Sequence, residues 1–233
     1  MSGRSLPKGW TEGSIGELCV AKVPQGPPEE DIEYIDISSI DRTQKVIRET
    51  RTVSPDEAPT RARQWIEPGD VLVSMTRPNL NAVARVTEEH KGAVASTGFD
   101  VLRSSSIMPE WLFYRVRSTD FVLDVCQDLQ GVVYPAIRPH DVRRHRLPVP
   151  PLGEQHRIVE AIESYFTRLD DAVATLGRVQ RNLKRYRASV LKAAVEGRLV
   201  PTEAELARRQ GRDYEPASVL LDRILAERRR RWE

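Results

Sequence analysis

The feature that most constrains this chain is a regular apolar repeat between residues 162 and 193. Apolar side chains recur there at alternating steps of three and four residues, which is the a/d pattern of a heptad repeat. The repeat lasts about four heptads and consists of Ile162, Tyr165, Leu169, Ala172, Leu176, Val179, Leu183, Tyr186, Val190 and Ala193. It predicts a long coiled-coil-forming helix that begins near Glu154 and ends near Glu196, before Gly197.

This apolar stripe needs a partner, because a seam of such length is not stable when it faces water. A second helical pattern covers residues 215–233, but it is too short to pack along the whole repeat. Its apolar positions are Leu220, Leu221, Ile224 and Leu225. The repeat therefore predicts that a helix from a second copy, or from another protein, covers residues 162–193.

Three prolines, at positions 148, 150 and 151, stand directly before the long helix. Proline fixes φ and disfavours helix in the residue before it, so these prolines end one module and fix the direction in which the chain leaves it. The preceding residues carry short β-rich runs and one helical pattern at 109–129. We predict an α+β protein: a globular mixed α/β domain at 1–150, a long spacer helix at 151–200, and a linker with a short C-terminal helix at 201–233.

Charge and composition exclude several classes of protein. The net charge is +2, made of −2 in residues 1–150 and +4 in residues 151–233, so neither part binds nucleic acid by charge alone. Any DNA binding must use a local patch or a partner. No apolar run approaches the ~20 residues of a membrane span, and the first residues lack the apolar core of a signal peptide. We expect a cytoplasmic protein with reduced cysteines and no membrane partner.

A search for catalytic and metal-binding motifs finds no glycine-rich phosphate loop, no HExxH and no methyltransferase tetrapeptide. Asp56, Glu89 and Lys91 imitate the acid, acid and lysine of Mg²⁺-dependent nucleases, whose two acids must meet at adjacent strand ends. Asp56 lies in a Ser-Pro-Asp turn, and EEHKG has the composition of a hairpin turn that joins two paired strands, so we predict no catalytic and no metal-binding residue. A stand-alone nuclease and an architectural coiled-coil protein remain the alternatives.

The segment MTRPNLNAVA, residues 75–84, follows a predicted strand and is suited to reading DNA bases. Arginine can make a paired contact with guanine and asparagine a paired contact with adenine, although asparagine and proline also build turns. We predict that Arg77, Asn79 and Asn81 lie near base edges, with Thr76, Tyr134 and Arg138 close by. Tyr134 and Arg138 belong to GVVYPAIRPHDVRRHR, residues 131–146, whose arginines suit contacts to phosphates. Weaker candidates for contacts to phosphates are Arg61, Arg63, Arg143 and Arg144.

The order of several segments resembles the specificity subunit of Type I restriction–modification systems. The resemblance runs through nearly the whole chain and is carried most distinctively by PPLGEQHRIV and LKAAVEGRL. It implies a target recognition domain that reads one half of an interrupted DNA sequence, and a long helix that sets the spacing. It also implies methyltransferase subunits that use S-adenosylmethionine and, where present, a restriction subunit that uses ATP and Mg²⁺. No cofactor is expected in this chain.

The sequence departs from that family pattern by having one recognition domain and one long helix instead of two of each. The resemblance allows two arrangements. Two copies can pair their helices and rebuild the two-armed scaffold with a symmetric target, or the chain is the N-terminal half of a longer subunit. We expect the first arrangement, a half-subunit that dimerises through its long helix. In either case we expect a non-catalytic subunit that scaffolds an enzyme complex.

Overall fold

The structure, a computed structural model, describes residues 6–127 and 135–232. It divides into two compact units, Met1–Ser164 and Tyr165–Glu233. The first unit extends past residue 150 because the beginning of the long helix packs into its core. This boundary differs from the predicted division at residue 150, which was placed at the prolines.

The strands of the first unit form small sheets. The strands are β1 (Thr11–Ser14), β2 (Ile32–Ile35), β3 (Ile40–Asp41), β4 (Val46–Ile47), β5 (Arg51–Val53), β6 (Ala62–Trp65), β7 (Val71–Ser74), β8 (Val83–Arg85), β9 (Val94–Ser96), β10 (Phe99–Leu102) and β11 (Arg146–Val149). A three-stranded antiparallel sheet has the order β10–β7–β8, and a four-stranded sheet has the order β5–β2–β9–β6, in which β2 and β9 run parallel. Two-stranded pairs join β1 to β11 and β3 to β4.

Seven α-helices lie among the described residues. They are α1 (Ile15–Leu18), α2 (Pro109–Val116), α3 (Thr119–Val125), α4 (Pro139–Arg143), α5 (Leu152–Val195), α6 (Glu203–Gln210) and α7 (Ala217–Trp232). The mixed α/β architecture, the long helix and the C-terminal helix confirm the predicted fold class. The helical pattern at 109–129 forms two helices, because the Ser118 side chain caps the N-terminus of α3 by accepting from Phe121 N. Helix α6 lies in the segment predicted as a linker.

Strand β7 is central to the core of the first unit. All four of its residues are buried, and it pairs with β10 on one side and β8 on the other, as expected of an uninterrupted apolar run. Val71 and Val73 face a core shared with α2, α3 and α4, whereas Leu72 faces a second core shared with β9 and β10. Burial also raises the pKa of the Cys19 thiol to about 12, so this thiol is not reactive.

The first turns of α5 are fixed to the first unit by a buried glutamine. Gln155 is 1% exposed; its side-chain amide donates to the Pro150 carbonyl at 2.8 Å, and its Oε1 accepts from Met108 N at 2.9 Å. Val159, one turn further, belongs to the core of the same unit. The prolines are also held, since β11 pairs with β1 and the Trp111 indole donates to the Pro148 carbonyl.

The apolar repeat of α5 is exposed over most of its length. Between 49% and 68% of the surface of each large seam residue from Tyr165 to Tyr186 is accessible, while Ile162 and Val190 are partly buried. These exposed residues are Tyr165, Leu169, Leu176, Val179, Leu183 and Tyr186. The described part of the chain therefore leaves a continuous apolar face along this helix. No helix among the described residues is long and apolar enough to cross a membrane.

Candidate nucleic-acid interface

The predicted base-reading segment forms a tight turn at the end of β7, which we call the 76–81 turn. A short 3-10 helix, Pro78–Leu80, lies at its centre, closed by hydrogen bonds from Leu80 N to Arg77 O and from Asn81 N to Pro78 O, both 2.9 Å long. Pro78 is buried, whereas Thr76, Arg77 and Asn79 are exposed. The fold thus presents three of the four predicted polar side chains of this turn to solvent.

The backbone of this region is strained. Arg77 and Asn81 flank the 3-10 helix with φ values of +50° and +46°, and both adopt the left-handed conformation. Among the described residues that are not glycine, Lys45 has the third positive φ, +60°, and its ammonium donates to the carbonyl of Asn81. A left-handed residue with a Cβ costs about 1–2 kcal/mol, and such costs concentrate at functional sites.

The 135–138 segment lies beside the 76–81 turn. Thr76 and Ala136 form an antiparallel bridge, Arg77 N donates to Pro135 O at 2.7 Å, and Ile137 N donates to Met75 O at 2.9 Å. Arg138 follows directly and is exposed at the N-terminus of α4. The structure therefore brings Arg138 close to Thr76 and Arg77, although 60 residues separate them in the chain. Tyr134 lies outside the described residues.

A further turn extends this surface on the other side. Met75 N donates to Gly98 O at 2.9 Å, and Thr97 N donates to Arg61 O at 2.8 Å. Arg61 and Thr97 are exposed, so a line of backbone hydrogen bonds joins Arg61 through the β9–β10 turn to the 76–81 turn. Arg63 is half-buried in β6 and its Nε donates to Thr60 O, and Arg144 is exposed and pairs with Asp141 at 3.7 Å.

Two predicted contact residues are engaged inside the protein. Arg143 is largely buried and makes an ion pair with Asp100 at 2.9 Å, and it also donates to the carbonyls of Val20 and Val101. The Asn81 side chain donates to Arg117 O at 3.0 Å and is partly buried. Both side chains therefore help to hold the fold, and this geometry gives no support to their predicted DNA contacts. Sequence alone did not separate them from the exposed residues around them.

Lys45 and Arg117 contact the 76–81 turn, and the sequence analysis did not predict either contact. Lys45 lies in the β3–β4 hairpin, 36 positions from Asn81, and the Arg117 carbonyl binds Asn81 from the other side. Burial and the nearby Arg117 guanidinium lower the pKa of the Lys45 ammonium. No local motif marks either residue, because the contact depends on how the hairpin and α2 pack against the turn.

The nuclease alternative gains no support from the positions of its residues. Asp56 lies in the turn after β5, whereas Glu89 and Lys91 lie in and after a 3-10 helix between β8 and β9, and all three are exposed. Strands β8 and β9 belong to different sheets, so this segment is not the hairpin turn that its composition suggested. Among the described residues, no group of three or more His, Cys, Asp and Glu side chains could hold a metal ion.

Comparison with known proteins identifies the family. The Type I restriction modification DNA specificity domain matches residues 7–174, which include the 76–81 turn and the first part of α5. The chain belongs to this family. The match covers both the module that carries the exposed polar turn and the beginning of the helix, so the family resemblance read from the sequence is confirmed.

Several relatives of this specificity-domain chain are known. It is 32% identical to the HsdS subunit from Thermoanaerobacter tengcongensis, with a TM-score of 0.75 over 83% of this chain and 51% of that one. A chain solved in work on complex assembly and conformational transition of the type I R-M system is 31% identical, with a TM-score of 0.69 over 92% of this chain and 53% of that one. The Type I restriction enzyme EcoKI specificity subunit of Escherichia coli K12 is 24% identical over 85% of this chain and 45% of its own length. The chain thus spans about half the length of these relatives.

Proposed function

We propose that this chain is a non-catalytic DNA-recognition subunit of a Type I restriction–modification complex, and that it reads one half of a bipartite target. The observation that carries the proposal is the family match over residues 7–174. The exposed polar turn at the end of β7 supports it, since arginine and asparagine side chains suit the edges of bases. A protein of this kind needs no active site of its own, because its partners supply the chemistry.

The proposed base contacts come from exposed side chains around the 76–81 turn. Arg77 and Asn79 provide the groups that can pair with two atoms of one base, and Thr76 lies beside them. Arg138 remains a proposed contact on the 135–138 segment, and Arg61, Arg63 and Arg144 remain proposed contacts to phosphates. Tyr134, which lies outside the described residues, also remains a proposed contact. Asn81 and Arg143 are left out of this set, because the Asn81 amide nitrogen and the Arg143 guanidinium bind other parts of the protein.

The proposed partners are duplex DNA, methyltransferase subunits and, where the system has one, a restriction subunit. S-adenosylmethionine would be bound by the methyltransferase, and ATP with Mg²⁺ by the restriction subunit, so this chain would hold no cofactor. Residues 1–150 carry a charge of −2, which supports a division of labour within such a complex. The partner subunits would neutralise most phosphates, and this chain would mainly discriminate between sequences.

We further propose that two copies associate through the exposed heptad seam of α5. The seam is long, regular and apolar, and the described part of the chain does not cover it. Such a dimer would carry two identical recognition domains and would read a symmetric bipartite sequence.

The decisive experiment is to co-express this chain with its neighbouring methyltransferase and to map the modified adenines. A bipartite, palindromic site that depends on this chain would support both the recognition function and the dimer. An asymmetric bipartite site would still support the recognition function. It would contradict the dimer, because a second, different recognition domain would have to read the other half of the site. If exchanging this chain for a relative left the methylated sequence unchanged, the chain would be architectural and the proposed function wrong.

The nuclease alternative is tested with the purified chain alone. Incubation of plasmid DNA with the chain and Mg²⁺ should leave the DNA intact. Cleavage that disappears in Glu89→Gln would instead assign the chemistry to this chain.

A further inference from the structure

The β3–β4 hairpin places the ammonium of Lys45 at the edge of the 76–81 turn. Strands β3 and β4 pair antiparallel, and Lys45 lies in the turn between them, with its backbone N donating to Asp41 O at 2.7 Å. From there the Lys45 ammonium reaches the carbonyl of Asn81, the last residue of the 76–81 turn. The hairpin is therefore tied to the candidate interface through one lysine side chain.

This ammonium has no carboxylate counter-ion among the described residues. The polar contact of its side chain is the hydrogen bond to the Asn81 carbonyl. Burial and the charge of Arg117 both lower the pKa of the ammonium. An anion that approached the ammonium from solvent would supply the missing counter-ion and would stabilise its charged form.

The geometry leaves the ammonium able to bind such an anion. An ammonium has three N–H donors, and the Asn81 carbonyl accepts from one of them. The side chain is only partly buried, so a ligand can approach it from solvent. Arg77 and Asn79, on the same turn, are exposed. An anion bound by Lys45 would thus lie next to the side chains proposed to read bases.

We propose that Lys45 binds a phosphate of the DNA backbone beside the base pairs read by the 76–81 turn. This inference rests on the proposed function, which supplies duplex DNA as the ligand at this surface. Because the same ammonium holds the Asn81 carbonyl, the phosphate contact would also fix the position of the 76–81 turn against the duplex. The hairpin residue thereby sets the register in which Arg77 and Asn79 meet the base edges.

Three variants separate this phosphate contact from a purely internal role of Lys45. Lys45→Gln keeps a side-chain donor for the Asn81 carbonyl but removes the charge, whereas Lys45→Arg keeps the charge. Lys45→Gly is a second uncharged variant that is compatible with the positive φ at this position. Lys91→Gln removes the same charge from an exposed lysine beyond the other end of β8 and is the matched control.

The measurement is the affinity of the full chain, assembled with its co-expressed methyltransferase, for a random-sequence duplex at several salt concentrations. Between about 50 and 200 mM salt, the logarithm of the DNA association constant should fall linearly with the logarithm of the salt concentration. Lys45→Gln and Lys45→Gly should make this fall less steep, by about 0.9 in the magnitude of the slope, and affinity at the low-salt end should fall roughly three- to tenfold. Lys45→Arg and Lys91→Gln should keep the wild-type slope. Thermal unfolding of each variant identifies any loss that comes from unfolding.

Two results would overturn the inference while leaving the proposed function intact. One is a wild-type slope in a folded Lys45→Gln or Lys45→Gly complex. The other is a loss of specificity at the methylated target without a change in slope, which would make Lys45 an internal support of the turn. If the wild-type complex itself showed no salt-dependent DNA binding, the proposed function would fail first and this inference with it.

Discussion

At the scale of single residues, Arg77 is the side chain on which sequence discrimination is proposed to depend. It is exposed, its backbone lies in the left-handed region, and Arg77 N donates to Pro135 O at 2.7 Å. Arg77→Ala should relax specificity at one base pair, because a paired contact to a base is lost; such a contact contributes about 1–3 kcal/mol to discrimination against the wrong base. Folding stability should change by less than about 0.5 kcal/mol, since the side chain is exposed.

The measurement is a map of methylated adenines produced by the Arg77→Ala complex, with Arg61→Ala as the contrast. Arg61 is a proposed phosphate contact, so its loss should weaken methylation evenly across sites without broadening the sequence. Unchanged specificity in Arg77→Ala would remove Arg77 from the base contacts.

Arg143 gives a prediction about stability and pH. Burial raises the pKa of Asp100, and the Arg143 guanidinium opposes that rise. In Arg143→Ala the folded-state pKa of Asp100 should rise further, and the buried, unpaired carboxylate should cost about 3–5 kcal/mol at pH 7. A raised folded-state pKa means that the folded protein binds more protons than the unfolded one, so the loss should shrink as pH falls toward the ordinary pKa of aspartate.

Urea unfolding at pH 7 and at about pH 4.5 checks this expectation. The double variant Asp100→Asn with Arg143→Ala should lose the pH dependence, because no titrating carboxyl remains at the site. An equal destabilisation of Arg143→Ala at both pH values would contradict the proposed origin of the loss.

Residue chemistry alone predicted which side chains can contact DNA but not which of them are accessible. Arg77 and Arg143 carry the same guanidinium, yet one lies on an exposed turn and the other closes a buried ion pair with Asp100. Their difference depends on contacts between residues more than 40 positions apart, which no local pattern records. Lys45 was not predicted for the same reason, since its partner Asn81 lies 36 positions away.

At the scale of elements, the anchored start of α5 yields a second stability prediction. Gln155→Leu would leave Met108 N and the Pro150 carbonyl without their present partner inside the core. An unsatisfied buried group costs about 1–3 kcal/mol, so we expect a loss of roughly 2–6 kcal/mol for the two together. The free energy of unfolding measures it, with the exposed neighbour His156→Ala as a control that should change stability little.

A loss below about 0.5 kcal/mol in Gln155→Leu would contradict this prediction. It would mean that apolar packing of the leucine side chain compensates for the two hydrogen bonds of Gln155. Gln155→Glu refines the test, because its carboxylate can still accept from Met108 N but cannot donate to the Pro150 carbonyl.

The helix with a strong period in its apolar residues was predictable from the sequence, whereas the partners of individual β-strands were not. The heptad pattern predicted α5 to within a few residues, since a repeat of 3.5 residues has no other common structure. Helices α2 and α3 were read as one segment, because the periodicity continues across the break at Ser118. The partners of β8 and β9 were mistaken, because strands adjacent in sequence were assumed to pair.

At the scale of the whole molecule, the exposed seam of α5 predicts concentration-dependent self-association. Leu176→Asp would place a charge in the centre of the paired seam, and we expect it to weaken the dimer by more than about tenfold. Ala174→Asp introduces the same charge on the opposite face of the same helix and should leave the dimer intact. Sedimentation of the purified full chain at several concentrations distinguishes the two variants.

If Leu176→Asp sediments as the wild type does, the seam does not mediate self-association and another protein must cover it. If Ala174→Asp also dissociates, the effect comes from a damaged helix, which circular dichroism of the same samples would reveal.

The way the 76–81 turn is built has a consequence for the engineering of new specificities. Its shape is determined by the main-chain hydrogen bonds from Arg77 N to Pro135 O, from Leu80 N to Arg77 O and from Asn81 N to Pro78 O, and by the internal amide of Asn81, rather than by the side chains that it exposes. A library that varies positions 76, 77 and 79 while keeping Pro78 and Asn81 should therefore yield mostly folded proteins. The same scaffold could then be selected for different DNA sequences without redesign of its core.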